Sequence, residues 1–428
     1  MRFIYTSVFY LAIPFILLRL LWRAFAAPAY ARRWSERFGF FHALAKAERD
    51  SSRIKKIVWV HTVSVGEFIA ALPIIKQLQT NSALQLVVTT TTPTGSDRVR
   101  AMLGDSVFHV YAPYDLPDVI ARFLQRIKPS LLLIMETELW PNTIAACAKR
   151  NIPVVLVNGR MSKKSARGYQ KFSGLTRPML QNLSLVLVQN KEDAARFNNL
   201  GLPAKNTQVT GNIKFDLVLT DALRQQAAQL KQQWNNNGER IIWLAASTHP
   251  GEDEVILEAF RQVKSDLKKL LLVLVPRHPE RFNSVHNLCV SRGFNVAKRS
   301  LGDASTATDI IVGDTMGELL LMFGASDIAF VGGSLVPNGG HNFIEPAVWQ
   351  LPLLSGQHVF NFAEVSRLLQ EAGALTLVSA ADELAEQIRL LALDDTERDR
   401  RGIAALRVAN ENRGALEKAL NSINMFIK

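Results

Sequence analysis

Ile57-Val58-Trp59-Val60-His61-Thr62-Val63, followed by Ser64-Val65-Gly66-Glu67, is an apolar run that stops on a small-residue turn and an acid. Short, rich in β-branched residues and free of charge, it reads as a strand buried on both faces of a parallel sheet. Phe68 to Leu78 then carries apolar residues at helical spacing, so the unit is strand, turn, helix, with Glu67 near the helix N-terminus. Ligands of open α/β sheets bind at the carboxyl ends of strands, where this turn lies. A carboxylate there can act as a general base. It can equally be an acid that complements the helix dipole, worth about 0.3–1 kcal/mol. The run alone leaves both readings open.

The same alternation continues on either side. In the first half the strands expected are Ile57–Val63, Leu84–Thr90, Val107–Val110, Leu131–Met135, Val154–Asn158 and Leu185–Gln189. A second series is expected at Ile241–Ala246, Leu271–Pro276, Ile310–Val312, Ile328–Val331, Leu353–Leu354 and Ala374–Val378. Helical patterns fill the gaps, which predicts two Rossmann-like, doubly wound α/β halves facing a cleft. A polar, Gln/Asn-rich stretch ending at Trp234 marks the boundary. The expected organisation is an N-terminal segment 1–28, a first half 29–215, a link 216–238, a second half 239–394, and a terminal helix 395–428 that returns to the first half. A hinge near 211–238 would let the halves close and exclude water.

The chain has 428 residues, more than a single core comfortably serves, and a formal net charge of +12. Residues 1–56 hold eleven Lys/Arg against three Asp/Glu, two-thirds of the whole excess. No aromatic-interleaved basic groove or nucleic-acid reading motif accompanies the charge, so an anionic membrane surface is the expected partner rather than nucleic acid. Phe3 to Leu18 is uncharged and apolar, and Leu20-Leu21-Trp22 extends it past Arg19. That reaches spanning length only if Arg19 snorkels to the interface. Arg19, Arg23, Arg32, Arg33 and Arg37 follow the apolar run and Arg2 alone precedes it, the order of an anchor with the remaining chain on the cytoplasmic side. A cleaved signal peptide, with small residues at Ala24–Ala27, has the opposite charge order. Tyr30 to Phe41 mixes aromatic and basic residues and reads as interfacial. Cys147 and Cys289 are the only cysteines, which argues against a disulfide framework or a structural zinc site.

Chemistry-bearing residues gather at the expected strand ends. Ser247-Thr248-His249-Pro250-Gly251-Glu252 follows one strand and Arg277-His278-Pro279-Glu280-Arg281 the next. Gly332-Gly333-Ser334 to Asn338-Gly339-Gly340-His341-Asn342 follows another and runs into Phe343-Ile344-Glu345. Glycine-rich backbone before a helix offers converging N–H groups to a phosphate, unless the glycines serve turn geometry alone. It is neither a Walker loop nor a GxGxxG fingerprint. Arg277 is the expected phosphate ligand and Glu345 a partner for a ribose diol. His249, His278 and His341 match no metal-ligand spacing and are expected to hydrogen-bond. Asp314-Thr315-Met316-Gly317-Glu318 is a further strand-end turn. In the first half Glu136 and Glu138, in METELWPN, suit acid–base work, hydroxyl binding or a helix start. Arg160, Lys163, Lys164 and Arg167 form a cationic face with no acid between residues 149 and 189, either plain solvated surface or a site for an anionic acceptor.

Eight of these segments, HTVSVGE (61–67), METELWPN (135–142), NGRMSKKSARGY (158–169), TGNIKFD (210–216), STHPGE (247–252), PRHPERF (276–282), GDTMGEL (313–319) and GGSLVPNGGHNFIEPA (332–347), occur in this order. Together with the N-terminal anchor they resemble the 3-deoxy-D-manno-oct-2-ulosonic acid (Kdo) transferases of Gram-negative lipopolysaccharide synthesis. The resemblance implies a GT-B fold at the inner membrane, CMP-Kdo as donor, a lipid A precursor as acceptor, and no active-site metal or other cofactor. By position, Glu67 matches the general base. The acceptor side then comprises Ser64, Gly66, Glu136, Glu138, Arg160, Ser162 and Lys163. The donor side comprises Ser247, His249, Arg277, His278, Gly313, Met316, Gly317, Gly333, Asn338, Gly339, Gly340, Asn342 and Glu345. SKKS at 162–165 departs from the family, where an acid is often found. The competing readings are a GT-B enzyme using a UDP-sugar, which UDP rather than CMP would inhibit, and a membrane-tethered bilobed binding protein without catalysis.

Overall fold

The computed structural model describes residues 1–26, 32–42, 55–236, 238–302 and 304–427. The chain divides into two compact units, Met1–Asp216 with Arg413–Lys428, and Leu217–Asn412. Each is built on a seven-stranded, wholly parallel sheet. In the first unit the strands are β1 (Lys56–His61), β2 (Leu84–Thr90), β3 (Phe108–Tyr111), β4 (Leu131–Met135), β5 (Val154–Gly159), β6 (Leu185–Val188) and β7 (Thr207–Val209), in the order β3-β2-β1-β4-β5-β6-β7. The order reverses between β1 and β4, which pair Val58 with Leu131 and His61 with Ile134. Side chains alternate between two cores. Val58 and Val60 face one way, with Phe68, Leu133 and Val155. Trp59 faces the other, with Phe123, Leu132 and Leu156.

The C-terminal helix Ala415–Ile427 completes the first of these cores with Ala415, Ala419 and Ile423. The Asp216 carboxylate fixes its start, accepting the N–H groups of Gly414 (2.6 Å) and Leu416 (2.7 Å). Helix starts leave N–H groups without partners, and a carboxylate there both satisfies them and complements the dipole.

The second unit holds β8 (Ile241–Thr248), β9 (Leu270–Pro276), β10 (Val296–Lys298), β11 (Ile310–Val312), β12 (Ile328–Val331), β13 (Leu353–Ser355) and β14 (Leu375–Leu377), ordered β10-β11-β9-β8-β12-β13-β14. Its order reverses between β8 and β12. The polar helix Asp221–Trp234 belongs to this unit and buries Ala227, Leu230 and Trp234. β8 runs two residues beyond the expected Ala246, because Ser247 takes φ +58° and the ladder slips before Thr248 pairs with Pro276.

The helix Arg2–Ala26 is long and apolar enough to cross a membrane. One side is tied to the first unit: Tyr5 donates to Asp115 (3.0 Å), Thr6 to Asn142 (3.2 Å) and Tyr10 to Asp118 (2.5 Å). The other exposes Ile4, Val8, Leu11, Phe15, Leu18, Trp22 and Phe25, an unbroken apolar stripe at helical spacing. The expected anchor ends at residues 27–28, and these, like Tyr30, lie outside the described residues. Two arginines of the expected basic collar do not face outward. Arg37 is buried over the Tyr111 ring (4.2 Å) and donates to Thr91 O (2.8 Å). Arg33 also stacks on Tyr111 (4.8 Å) and pairs with Glu36. Guanidinium planes take aromatic faces and carbonyls readily, so these charges serve the fold rather than a lipid surface.

Candidate active site

Ser64 caps the helix Val65–Gln79: its Oγ accepts the Glu67 N–H (3.3 Å) and donates to Glu67 Oε1 (3.0 Å). Val63 N–H donates to Glu67 Oε2 (2.7 Å). This is a variant of the capping box, with the acid reaching one residue further back than usual. Glu67 therefore secures the helix start, and it stands half-buried at the switch point between β1 and β4.

Glu136 and Glu138 leave the neighbouring strand there. Burial, chiefly, and then the carboxylates of Glu138 and Glu136 push Glu67 up to about 7, against the hydrogen bonds from Val63 and Ser64. Burial and Glu136 push Glu138 up as well. Glu136 sits at φ +55° and pairs with Lys214 (2.9 Å). Thr137 Oγ1 donates to the carbonyl of Arg160, which ties this turn to the end of β5. A carboxylate held near pKa 7 is half-ionised at neutral pH, the state a general base needs.

The remaining acceptor-side residues divide. Ser162 caps the helix Lys163–Lys171 through Ser165 N–H (3.0 Å), and no residue of that helix is buried, so Lys163 stands on an open surface. Gly66 is exposed, with only Ser64 Oγ near the place a Cβ would occupy (3.8 Å).

At the second unit's switch point the sequence missed the organising residue. Glu252 is fully buried and accepts four backbone N–H groups: His249 (2.8 Å) and Gly333 (2.7 Å) on Oε2, Ser334 and Leu335 (2.9 Å each) on Oε1. The N–H groups expected to converge on a phosphate at 333–335 are thus already taken by a side chain. The helix after Asn342, Ile344–Val348, has only five residues, too short to lend a sizeable dipole to a phosphate there.

His249 and His341 stack at 5.1 Å with Nε2···Nε2 at 2.9 Å, and His278 meets His249 edge-on at 5.4 Å. A Cβ on Gly333, at φ +68°, would strike the His341 ring at 2.9 Å, so this glycine makes room for the pair. Burial, then the Arg277 cation, pushes His341 down to about 4, and burial also lowers His249. Both rings are neutral at pH 7, so one Nε2 donates to the other. Arg277 is exposed beside them, whereas Arg281 is committed to Asp253 and to Thr248 O. Asn342 donates to Glu345 (3.0 Å) and Asn361 to Asn338 O (2.8 Å). Gly339, at φ +93°, leaves no room for a Cβ against Asn361. Gly313, Met316 and Gly317 belong to a neighbouring turn: Gly313 N–H is tied to β9, Arg299 pairs with Glu318, and Met316 is exposed.

Two doubly wound parallel sheets, each with a polar cluster at its switch point, define a GT-B glycosyltransferase architecture. A glycosyltransferase structure from Rickettsia africae shares it at TM-score 0.57 and 15% identity, over 87% of this chain and 99% of that one. The family model for 3-deoxy-D-manno-octulosonic-acid transferase (kdotransferase) matches residues 32–217. The 3-deoxy-D-manno-octulosonic acid transferase of Haemophilus influenzae is 43% identical over 100% of this chain and 99% of its own length. That of Bordetella pertussis is 33% identical over 86% and 87%. The chain belongs to the Kdo transferase family and is a glycosyltransferase.

Proposed function

We propose that the protein transfers Kdo from CMP-Kdo to a sugar hydroxyl of the lipid A precursor lipid IVA, inverting the anomeric centre, with Glu67 as general base. The observation that carries the reading is the half-buried Glu67 carboxylate, pushed to about 7 at a switch point, in a chain whose full-length relative bears the Kdo transferase name. Glu67 takes the proton of the acceptor hydroxyl, the freed oxygen attacks the Kdo anomeric carbon, and the bond from that carbon to the cytidylate phosphate breaks. Arg277 meets the charge on the departing phosphate, helped by the backbone of Gly339 to Asn342. His249, His278, Asn338 and Glu345 position the donor. Arg160 and Lys163 meet acceptor phosphates, with Glu136 and Glu138 on acceptor hydroxyls. No step is assigned to a metal. The apolar stripe of the helix Arg2–Ala26 holds the catalytic units at the cytoplasmic leaflet of the inner membrane, where a lipid acceptor is presented.

Incubation of the purified protein with CMP-Kdo and lipid IVA, followed by mass spectrometry, should show a product heavier by one or more Kdo residues. A mass gain from a UDP-sugar and none from CMP-Kdo would overturn the proposal.

A further inference from the structure

Beneath the N-terminal helix the first unit encloses a cavity of about 120 Å³. Most of its surface is apolar, from Phe9 of that helix, Trp59 of β1, Leu132 and Ile134 of β4, and Tyr114 and Trp140 from the turns that follow β3 and β4, while Arg37, His61, Thr91, Asp115 and Thr143 add polar atoms to the wall. An engineered apolar cavity of about 150 Å³ stays dry and admits benzene, so this space suits a few methylenes of hydrocarbon.

The lining residue that matters most is His61, from the end of β1. His61 is 6% exposed and lines the cavity, and its Nε2 has no hydrogen-bond partner among the described residues. Its Nδ1 lies 2.9 Å from Thr89 Oγ1, which already accepts Trp59 Nε1–H at 2.9 Å. A hydroxyl oxygen can accept twice, but the Thr89 hydrogen has no other acceptor among the described residues, so it goes to Nδ1 and the imidazole hydrogen sits on Nε2. Burial keeps the ring neutral by pushing it down to about 4. A buried donor without an acceptor is costly, which makes Nε2–H a binding group waiting for an oxygen.

Two features say where that oxygen comes from. The cavity shares a wall with the cradle of Glu67: Thr91 lines it and donates to Val63 O (2.9 Å), and Val63 N–H holds Glu67 Oε2. The helix that closes it with Phe9 also carries the outward stripe from Ile4 to Trp22. The cavity thus borders both the helix that carries the apolar stripe and the residues that hold Glu67.

We propose that this cavity binds one acyl chain of the lipid acceptor, with the methylenes among Phe9, Trp59, Ile134 and Trp140 and the chain's carbonyl oxygen accepting from His61 Nε2–H. The inference rests on the reading above that the acceptor is a lipid, and it supplies what sets the sugar hydroxyl at Glu67.

The test compares Kdo transfer to tetraacylated lipid IVA and to its fully deacylated form, in wild type and in variants that enlarge two residues of the cavity wall, Ala112→Leu and Ile134→Phe. Wild type should prefer the acylated acceptor in kcat/KM by at least about tenfold, the value of burying a few methylenes. Variants that melt as folded proteins should lose most of that preference. An undiminished preference in either folded variant, or none in wild type, overturns the proposal. An acceptor brominated a few carbons from the chain carbonyl gives a readout on wild type without those variants. It should quench tryptophan fluorescence, and part of the quenching should vanish in Trp59→Phe and in Trp140→Phe. Quenching untouched by both also overturns it. Failure of wild type to use either acceptor would instead remove the assigned reaction, and the quenching would still decide the cavity.

Discussion

Glu67 and Glu252 occupy equivalent places, each just past a central strand at the point where its sheet reverses order, yet they are held in opposite ways. Glu252 is sealed from water and takes four backbone N–H groups, two on each oxygen. Every site on that carboxylate is spoken for, and the loop after β12 is wrapped around it. Glu67 receives one backbone N–H and one hydroxyl, is only half-buried, and faces two further carboxylates. Position in the fold brings an acid to the strand end. The supply of donors then decides whether it becomes scaffold or reagent.

The comparison breaks most sharply at Glu67 itself. Glu67→Gln keeps the shape of the cap and should lower kcat by about 10²–10⁴-fold, the usual worth of a general base. Its stability should move the other way. Glu67 is an acid whose folded value, about 7, lies above its ordinary 4.5. Between those values the native state keeps a proton that the unfolded chain has released, so stability falls as pH rises through the window. The variant lacks that cost: thermal melts should match wild type at pH 4 and exceed it at pH 8 by on the order of 1–2 kcal/mol. A lower melting point at pH 8 would mean that the carboxylate is structural after all.

Glu252→Ala should do the reverse, removing about 3 kcal/mol or more of stability from the second unit by stranding four buried N–H groups. Urea or thermal unfolding measures it, and a near-neutral result would show that the loop does not depend on the acid. Lys214→Met, which takes the cation from Glu136, should make the first cluster more acid-rich in effect and raise the apparent pKa of the rate by about half a pH unit to one. An unmoved profile would uncouple Glu136 from Glu67. The smallest effect expected is that of a chelator. Both clusters draw their charges from side chains, so EDTA should change the rate by less than about twofold, where loss of an essential catalytic metal would cost decades.

The strands that build both sheets were legible where burial is complete. Leu84–Thr90, Leu131–Met135, Ile310–Val312 and Ile328–Val331 start and stop as their apolar runs do. β7 (Thr207–Val209) and β10 (Val296–Lys298) escaped because each is a three-residue edge strand, partly exposed, with no apolar run to betray it. The Glu67 turn was legible as a strand end followed by a helix. The difference between Glu67 and Glu252 was not, because three of the four donors that satisfy Glu252 come from residues 333 to 335, more than eighty positions away. Arg33 and Arg37 misled for the same reason. Their ring partner, Tyr111, lies on another element, and charge counted along the chain does not reveal which arginines turn inward.

The pH dependence of kcat/KM for Kdo transfer, measured on wild type and on Glu67→Gln, bears most directly on the base. The rate constant of wild type should fall about tenfold per pH unit below an apparent pKa near 7, and that acidic limb should be absent from the residual activity of Glu67→Gln. The same limb in both proteins, or a variant as fast as wild type, would contradict the assignment.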